Sequence, residues 1–295
     1  MSYSQIIKNY KLKPILFKNH QPIYNYPIMN NNLIFLHLPK NGGSTFHSIL
    51  NRLYPKENTF TIQSVTNSKT NEDFFINIAD ADRKTINLVK GHSLFGLHKY
   101  MDKNTRYITF LRKPEERIPS FYYYVLRKPN NKLYKKVTSN NMSLYEFVTQ
   151  VESIDLNNCQ VRWISGIDDK EEFMLEKAIE NIENYFSFVG ITEKYNECLI
   201  LLQHLYNWSI PYYMVKNKTR NRPMIEEIDN KTIAAINHYN TADNKLYEII
   251  NEKISKQIKT EEYMFLELAR LAILNKIYSN EYGRKIAGSI KRKIK

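Results

Sequence analysis

LIFLHLPKNGGSTFHSILNRLY, residues 33–54, decides how the chain is read: an apolar run enters a Lys-Asn-Gly-Gly-Ser-Thr turn and leaves as an amphipathic segment. Phe46, Ile49, Leu50 and Leu53 recur at the spacing of a helix with one buried face. Strand, tight turn and helix together predict an anion cradle. Gly42 and Gly43 let the backbone turn sharply and approach a ligand closely. Ser44, Thr45 and the unpaired N–H groups of the helix start point at a negative group, and Lys40 adds a full charge beside it.

The order of residues separates this turn from the nucleotide-triphosphate loop, where Gly precedes Lys and a Ser or Thr follows to hold magnesium. Here Lys40 comes first. Working outward, the strand is expected over Leu33 to Leu38, with further short apolar strands at Ile86 to Val89, Tyr107 to Leu111 and Phe186 to Ile191. Thr192 is placed to cap a helix carrying Tyr195, Leu199, Leu202 and Tyr206 on one face. Residues 143–150, 157–164, 171–184 and most of 226–279 read as helices. Alternating strands and helices predict an α/β fold with a mainly parallel central sheet, whose ligands collect beyond the carboxyl ends of the strands.

At 295 residues the chain has room for a sizeable core. It is read as one domain: an extended arm over 1–31 containing Pro14, Pro22 and Pro27, a core over 33–222, and a helical C-terminal part over 226–295. A net charge of +13, from 43 Lys and Arg against 30 Asp and Glu, predicts an anionic ligand or surface. Cys159 and Cys198 are far apart and lack metal-ligand spacing, so they read as buried apolar residues, with neither a disulfide framework nor a zinc site. No run approaches the roughly 18 apolar residues of a membrane span, and the N-terminus lacks a signal-peptide core; a soluble, cytoplasmic protein is expected. In RKIAGSIKRKIK, Ile286, Ile290 and Ile294 recur among basic residues, which allows either a solvated tail or peripheral contact with an acidic membrane.

Two strand ends should flank the Lys40 turn. One carries Lys90-Gly91-His92-Ser93, the other Arg112-Lys113-Pro114 followed by Glu116, Arg117 and Ser120. A histidine at a strand's carboxyl end suits proton abstraction near neutral pH. Lys40 with its Gly-Gly-Ser-Thr turn, Lys90-x-His92, Arg112 with Ser120 eight residues later, and Val189-Gly190-Ile191-Thr192-Glu193 together resemble the sulfotransferases that use 3′-phosphoadenosine 5′-phosphosulfate, PAPS. The GHSLFGLH and RYITFLRKPEERIPSFYYY segments are most similar to the members that include the heparan sulfate 2-O- and 6-O-sulfotransferases and bacterial relatives.

The resemblance, over roughly residues 33–222, implies a P-loop-like three-layer fold and transfer of a sulfuryl group from PAPS to a hydroxyl, on a carbohydrate, without a metal. It implies that Lys40 holds the 5′-phosphosulfate in a cradle of Asn41, Gly42, Gly43, Ser44 and Thr45. Arg112 and Ser120 would bind the 3′-phosphate, His92 would be the general base, and Lys90 would assist on the sulfuryl oxygens. His98, within FGLH, is the alternative base. Asn217, Lys218, Arg220 and Arg222 form a basic loop that could close over the 3′-phosphate, grip an anionic acceptor or stay solvated. In the mostly aromatic run Phe121 to Tyr124, the helical spacing favours core packing.

Two positions depart from the family pattern. Lys113 stands where Asp is usual, changing the charge beside Arg112, and Pro119 lacks the N–H that a helix starting at Pro114 would use, so a kink or a later start is expected. A nucleotide kinase or NTPase is disfavoured by the missing Gly-Lys-Ser/Thr order and by Arg112, where a magnesium-holding Asp would be wanted. A nucleic-acid-binding protein is disfavoured because basic residues and stacking aromatics do not interleave in register.

Overall fold

The computed structural model of the protein describes residues 32–66, 69–214 and 225–280. The N-terminal arm, the basic loop with Asn217, Lys218, Arg220 and Arg222, and the isoleucine-spaced tail all lie outside the described residues. The chain opens with β1 (Leu33–Leu36), whose four residues are all buried, and α1 (Gly43–Leu53), which lays Phe46, Ile49 and Leu50 against the sheet. Next come β2 (Thr59–Ile62), a small antiparallel ribbon of β3 (Ser64–Thr66) and β4 (Lys69–Thr70), α2 (Glu72–Asn77), α3 (Asp80–Arg83) and β5 (Leu88–Gly91). After β6 (Arg106–Leu111) the chain builds α4 (Pro114–Val125), α5 (Tyr134–Ser139), α6 (Leu144–Gln150), α7 (Cys159–Ser165) and α8 (Glu171–Tyr185). It then runs through β7 (Phe186–Ile191), α9 (Tyr195–Tyr206), α10 (Asn230–His238), α11 (Thr241–Thr260) and α12 (Met264–Ser279).

The main sheet has five strands in the order β2-β5-β1-β6-β7, all parallel and flanked by helices. This is the expected α/β architecture. Register places Leu36 beside Gly91 and Leu111 beside Ile191, so the loops leaving β1, β5, β6 and β7 emerge along one edge. Because the chain leaves β1 towards β2 on one side and leaves the neighbouring β6 towards β7 on the other, the connections diverge between β1 and β6 and open a crevice at that edge.

A second, smaller core sits under α4, α5, α6 and α10, built on Ile118, Phe121, Val125, Val137 and Phe147. Phe121 and Tyr122 pack into it, as expected of the aromatic run, while Tyr124 also turns its ring to Lys40. Helix α4 runs unbroken from Pro114 to Val125 with Pro119 inside it, so the later start does not occur. Both cysteines are buried and free.

Some boundaries shift. Strand β1 stops at Leu36 and β5 starts at Leu88 because the pairing, rather than the apolar run, sets the ends. Thr192 begins a 3-10 turn and does not cap α9; its hydroxyl instead donates to Leu111 O at 2.9 Å and Asn41 O at 3.2 Å, tying the β6 and β7 ends to the Lys40 turn.

Candidate active site

The turn after β1 has two residues in the left-handed region, Lys40 at φ 71° and Gly42 at φ 78°. For lysine that conformation is strained and must be held by its surroundings. Arg112 donates from Nη1 to the Lys40 carbonyl at 3.1 Å, and the Lys40 ammonium lies 4.1 Å from the centre of the Tyr124 ring. Helix α1 starts directly after Gly42 with no side-chain cap and no acidic residue in its first turn. Thr45 N–H turns back to Gly42 O at 3.1 Å, while the N–H groups of Gly43 and Ser44 and the positive dipole end suit an outside anion. Ser44 is exposed there, whereas Thr45 is buried.

Asn41 faces the other way. It is buried, and its Nδ2 donates to Phe110 O and to Gln160 Oε1, both at 2.7 Å. Gln160 also accepts from Arg112 N and donates to Arg112 O, each at 2.9 Å, so one amide side chain locks the β1 turn to the end of β6. Gln160 is set by Asp243 of α11, whose carboxylate accepts from the backbone N–H groups of Gln160 at 3.0 Å and Val161 at 2.8 Å, capping α7 from another helix. In return Asn158 Oδ1 accepts from Ala242 N at 2.9 Å and Asp243 N at 3.1 Å. Sequence reading did not single out Gln160 or Asp243.

Three histidines meet beneath the turn. His92 donates from Nδ1 to the His37 carbonyl at 2.7 Å; a carbonyl can only accept, so Nδ1 carries the hydrogen and Nε2 is left with its lone pair. The His37 ring stacks on His92 with centroids 4.1 Å apart, and its Nδ1 pairs with His47 Nε2 at 3.1 Å. Gly43 makes room for this: a Cβ there would lie 1.9 Å from the His37 ring. Burial, followed by the charges of His92, His47 and Lys40, holds His37 well below the ordinary histidine range, and burial first, then Lys90 and His92, brings His47 down to about 4. His92 is lowered as well, mainly because protein surrounds a ring that keeps one edge open; the His37 hydrogen bond and Asp155 oppose the shift, and Lys40 adds to it. Two of the three histidines flank the anion turn at positions 37 and 47, a signal present in the sequence but not used.

Lys90 is almost fully buried under α1, with its ammonium on Asn51 Oδ1, and burial lowers its pKa. Its charge reaches His47, and its ammonium is engaged by α1 and not by the turn. His98 is separated from the site: its Nδ1 and backbone N–H both engage the Tyr107 hydroxyl, at 3.1 and 2.9 Å, and its ring packs on Tyr185. Tyr107 pairs with Phe186 at the amino end of β6 and β7, the opposite edge of the sheet.

Arg112 is half-buried among acids, with Nη2 2.9 Å from Glu116 and Nε 3.9 Å from Glu193. Burial outweighs that neighbour and raises the Glu193 pKa. Lys113 pairs with Glu115 at 2.5 Å and donates its backbone N–H to Glu193, so the usual partner for Arg112 is supplied by α4 and the β7 end. Glu116, Ser120 and Tyr124 stand four residues apart along α4; the first holds Arg112 and the last holds Lys40, which puts Ser120 on the same row between them. Among the described residues no group of three or more His, Cys, Asp or Glu is arranged to hold a metal ion.

The model of the galactose-3-O-sulfotransferase family matches residues 3–273, and the chain belongs to that family. No curated protein matches the sequence. Family membership corrects the expected cytoplasmic location, because galactose-3-O-sulfotransferases are Golgi membrane-resident enzymes. Among the described residues no helix is long and apolar enough to cross a membrane.

Proposed function

We propose that the protein transfers a sulfuryl group from PAPS to a hydroxyl of a galactose-bearing carbohydrate, with His92 as general base. The observation that carries the reading is the pairing of an uncapped, acid-free helix start with a histidine whose Nε2 is the only lone-pair nitrogen of its ring. The first suits a bound phosphosulfate; the second suits removal of a hydroxyl proton.

Bound PAPS would supply an activated sulfuryl group with a good phosphate leaving group. The residues of the chain would do the rest by position and charge. The α1 N–H groups, Gly42, Gly43 and Ser44 hold the anion, with Lys40 leaving the Tyr124 ring to add its charge. Arg112 and Ser120 bind the 3′-phosphate, which requires Arg112 to exchange Glu116 for the phosphate. His92 takes the acceptor proton on Nε2, and the neighbouring His37 and His47 stay neutral so that the new cation is tolerated. Asn41 ties the turn to the β6 end from beneath, and Lys90, held by Asn51, keeps a positive charge near His47. His98, on the far edge of the sheet, has no part in this scheme.

The finer resemblance to heparan sulfate 2-O- and 6-O-sulfotransferases rests on GHSLFGLH and RYITFLRKPEERIPSFYYY alone, and the family match favours galactose as the acceptor sugar. One domain spanning the arm, core and helical C-terminal part remains our reading, since Asp243 of α11 completes the turn. Lys218 and Arg220 remain candidates for closing over the 3′-phosphate.

The test is thermal unfolding with 3′-phosphoadenosine 5′-phosphate (PAP), PAPS, or ATP with magnesium, for the wild type and for Lys40→Ala and Arg112→Ala. A ligand that binds only the folded state raises the unfolding midpoint. Stabilisation by both 3′-phosphorylated nucleotides without metal, lost in either variant, supports the donor site, and labelled sulfate appearing on lactose supports the transfer. Stabilisation by ATP with magnesium alone overturns it.

A further inference from the structure

A groove of about 930 Å³ opens beside the second core, and its lining includes Lys132, Gln150, Glu152, Ser153, Asn157 and Tyr239. We propose that this groove binds the sugars of a neutral oligosaccharide beyond the reacting unit, extending the acceptor site; the proposal rests on the sulfotransferase reading above.

Position comes first. The loop between α6 and α7 forms one wall of the groove through Glu152, Ser153, Ile154 and Asn157. Its middle residue, Asp155, is the acid whose field reaches His92. Immediately after the groove residue Arg162, Trp163 sets its ring edge-on to His92 with centroids 5.8 Å apart. One short stretch, 152–163, therefore borders both the groove and the base. The wall is anchored rather than loose, because the fully buried Arg117 of α4 donates to Asp155 O at 2.7 Å and Arg162 donates to Asn157 O at 3.3 Å.

Chemistry points to a neutral ligand. The chain carries +13, yet the groove lining holds one acid, Glu152, along with its two cations, Lys132 and Arg162, and Arg162 is ion-paired with Asp168. A polyanionic chain would need a row of unmatched cations. The lining instead sets amides and hydroxyls beside Tyr239 and four aliphatic side chains, groups suited to sugar hydroxyls and the apolar face of a sugar ring. The volume falls in the usual range for small-molecule sites and exceeds the need of a single sugar.

The test is direct binding, without turnover, of methyl β-galactoside, lactose, and neutral tetra- and hexasaccharides ending in galactose, with a heparin-derived hexasaccharide as the polyanion. Wild type is compared with Tyr239→Ala and with Gln150→Trp, which fills the groove from an exposed position and spares the core; unfolding midpoints confirm that each variant is folded. PAP binding is followed in parallel. Affinity should rise at least tenfold from lactose to the hexasaccharide, and both variants should remove that gain while leaving PAP binding within twofold. An affinity independent of length, a gain untouched by Gln150→Trp, or tighter binding of the heparin fragment overturns the groove. Length-dependent binding without any PAP binding upholds the groove and overturns the donor site instead.

Discussion

The ring of His37 lies nearly parallel to that of His92, 4.1 Å away, while the His37 carbonyl takes the Nδ1 hydrogen of His92 at 2.7 Å. One residue thus fixes both the plane and the tautomer of the proposed base. His92→Ala should lower turnover by about two to four orders of magnitude with PAP binding little changed. An unaltered rate would remove His92 from the mechanism.

The pH profile follows from the direction of the His92 shift. Its folded pKa is lowered, so the neutral base persists below pH 6.5, and the acid limb of kcat/KM should fall at a pH under that value. Asp155 raises the His92 pKa, so Asp155→Asn should move the acid limb to still lower pH. An acid limb above pH 6.5, or a shift upward in Asp155→Asn, would contradict the assignment.

Stability should respond in the same layer. His47 is lowered to about 4 and His37 well below its ordinary value, so between that range and the unfolded value near 6.5 the unfolded chain binds more protons. Their contribution is complete above pH 6.5 and is lost as pH falls towards 4. In His47→Gln the unfolding midpoint should drop less over that interval than in wild type. Equal drops would show that His47 is not buried neutral.

Gly43→Ala places a methyl carbon where the His37 ring now lies, 1.9 Å from its nearest atoms. The ring must leave His92 or α1 must shift. A loss of about 2 kcal/mol, read from denaturant unfolding, should accompany a fall in turnover larger than that of Ser44→Ala. A fully active, stable Gly43→Ala would mean that the stack is dispensable.

Glu116 holds the Arg112 guanidinium at 2.9 Å. Glu116→Gln removes a competing negative charge, and PAP should bind several-fold tighter, a gain of about 1 kcal/mol, as measured by calorimetry. Weaker binding would show that Glu116 instead orients the guanidinium for the phosphate.

Much of the frame was legible because apolar runs and the Gly-Gly turn are local signals: β1, α1, β6 and β7 lie close to where LIFL, the helical spacing and FSFVGI put them. The edge strand TFTI escaped notice because half-buried Thr59 and Thr61 interrupt its apolar character. Lys90 and His98 were recognisable by type, but direction depends on packing: strand alternation turns Lys90 under α1, and a 3-10 turn carries His98 to the Tyr107 end of β6. The partnership of His37 with His92 joins residues 55 apart, and that of Gln160 with Asp243 joins residues 83 apart. No spacing along the chain encodes either.

The exchange of caps between Asn158 and Asp243 also orders events in time. Gln160 is positioned for Asn41 and Arg112 by a carboxylate on α11, so the full set of contacts behind the anion turn is complete only once that helix has been made. A chain halted before residue 243 would carry the Lys40 turn and Gln160, and would lack the carboxylate that caps α7 and positions Gln160.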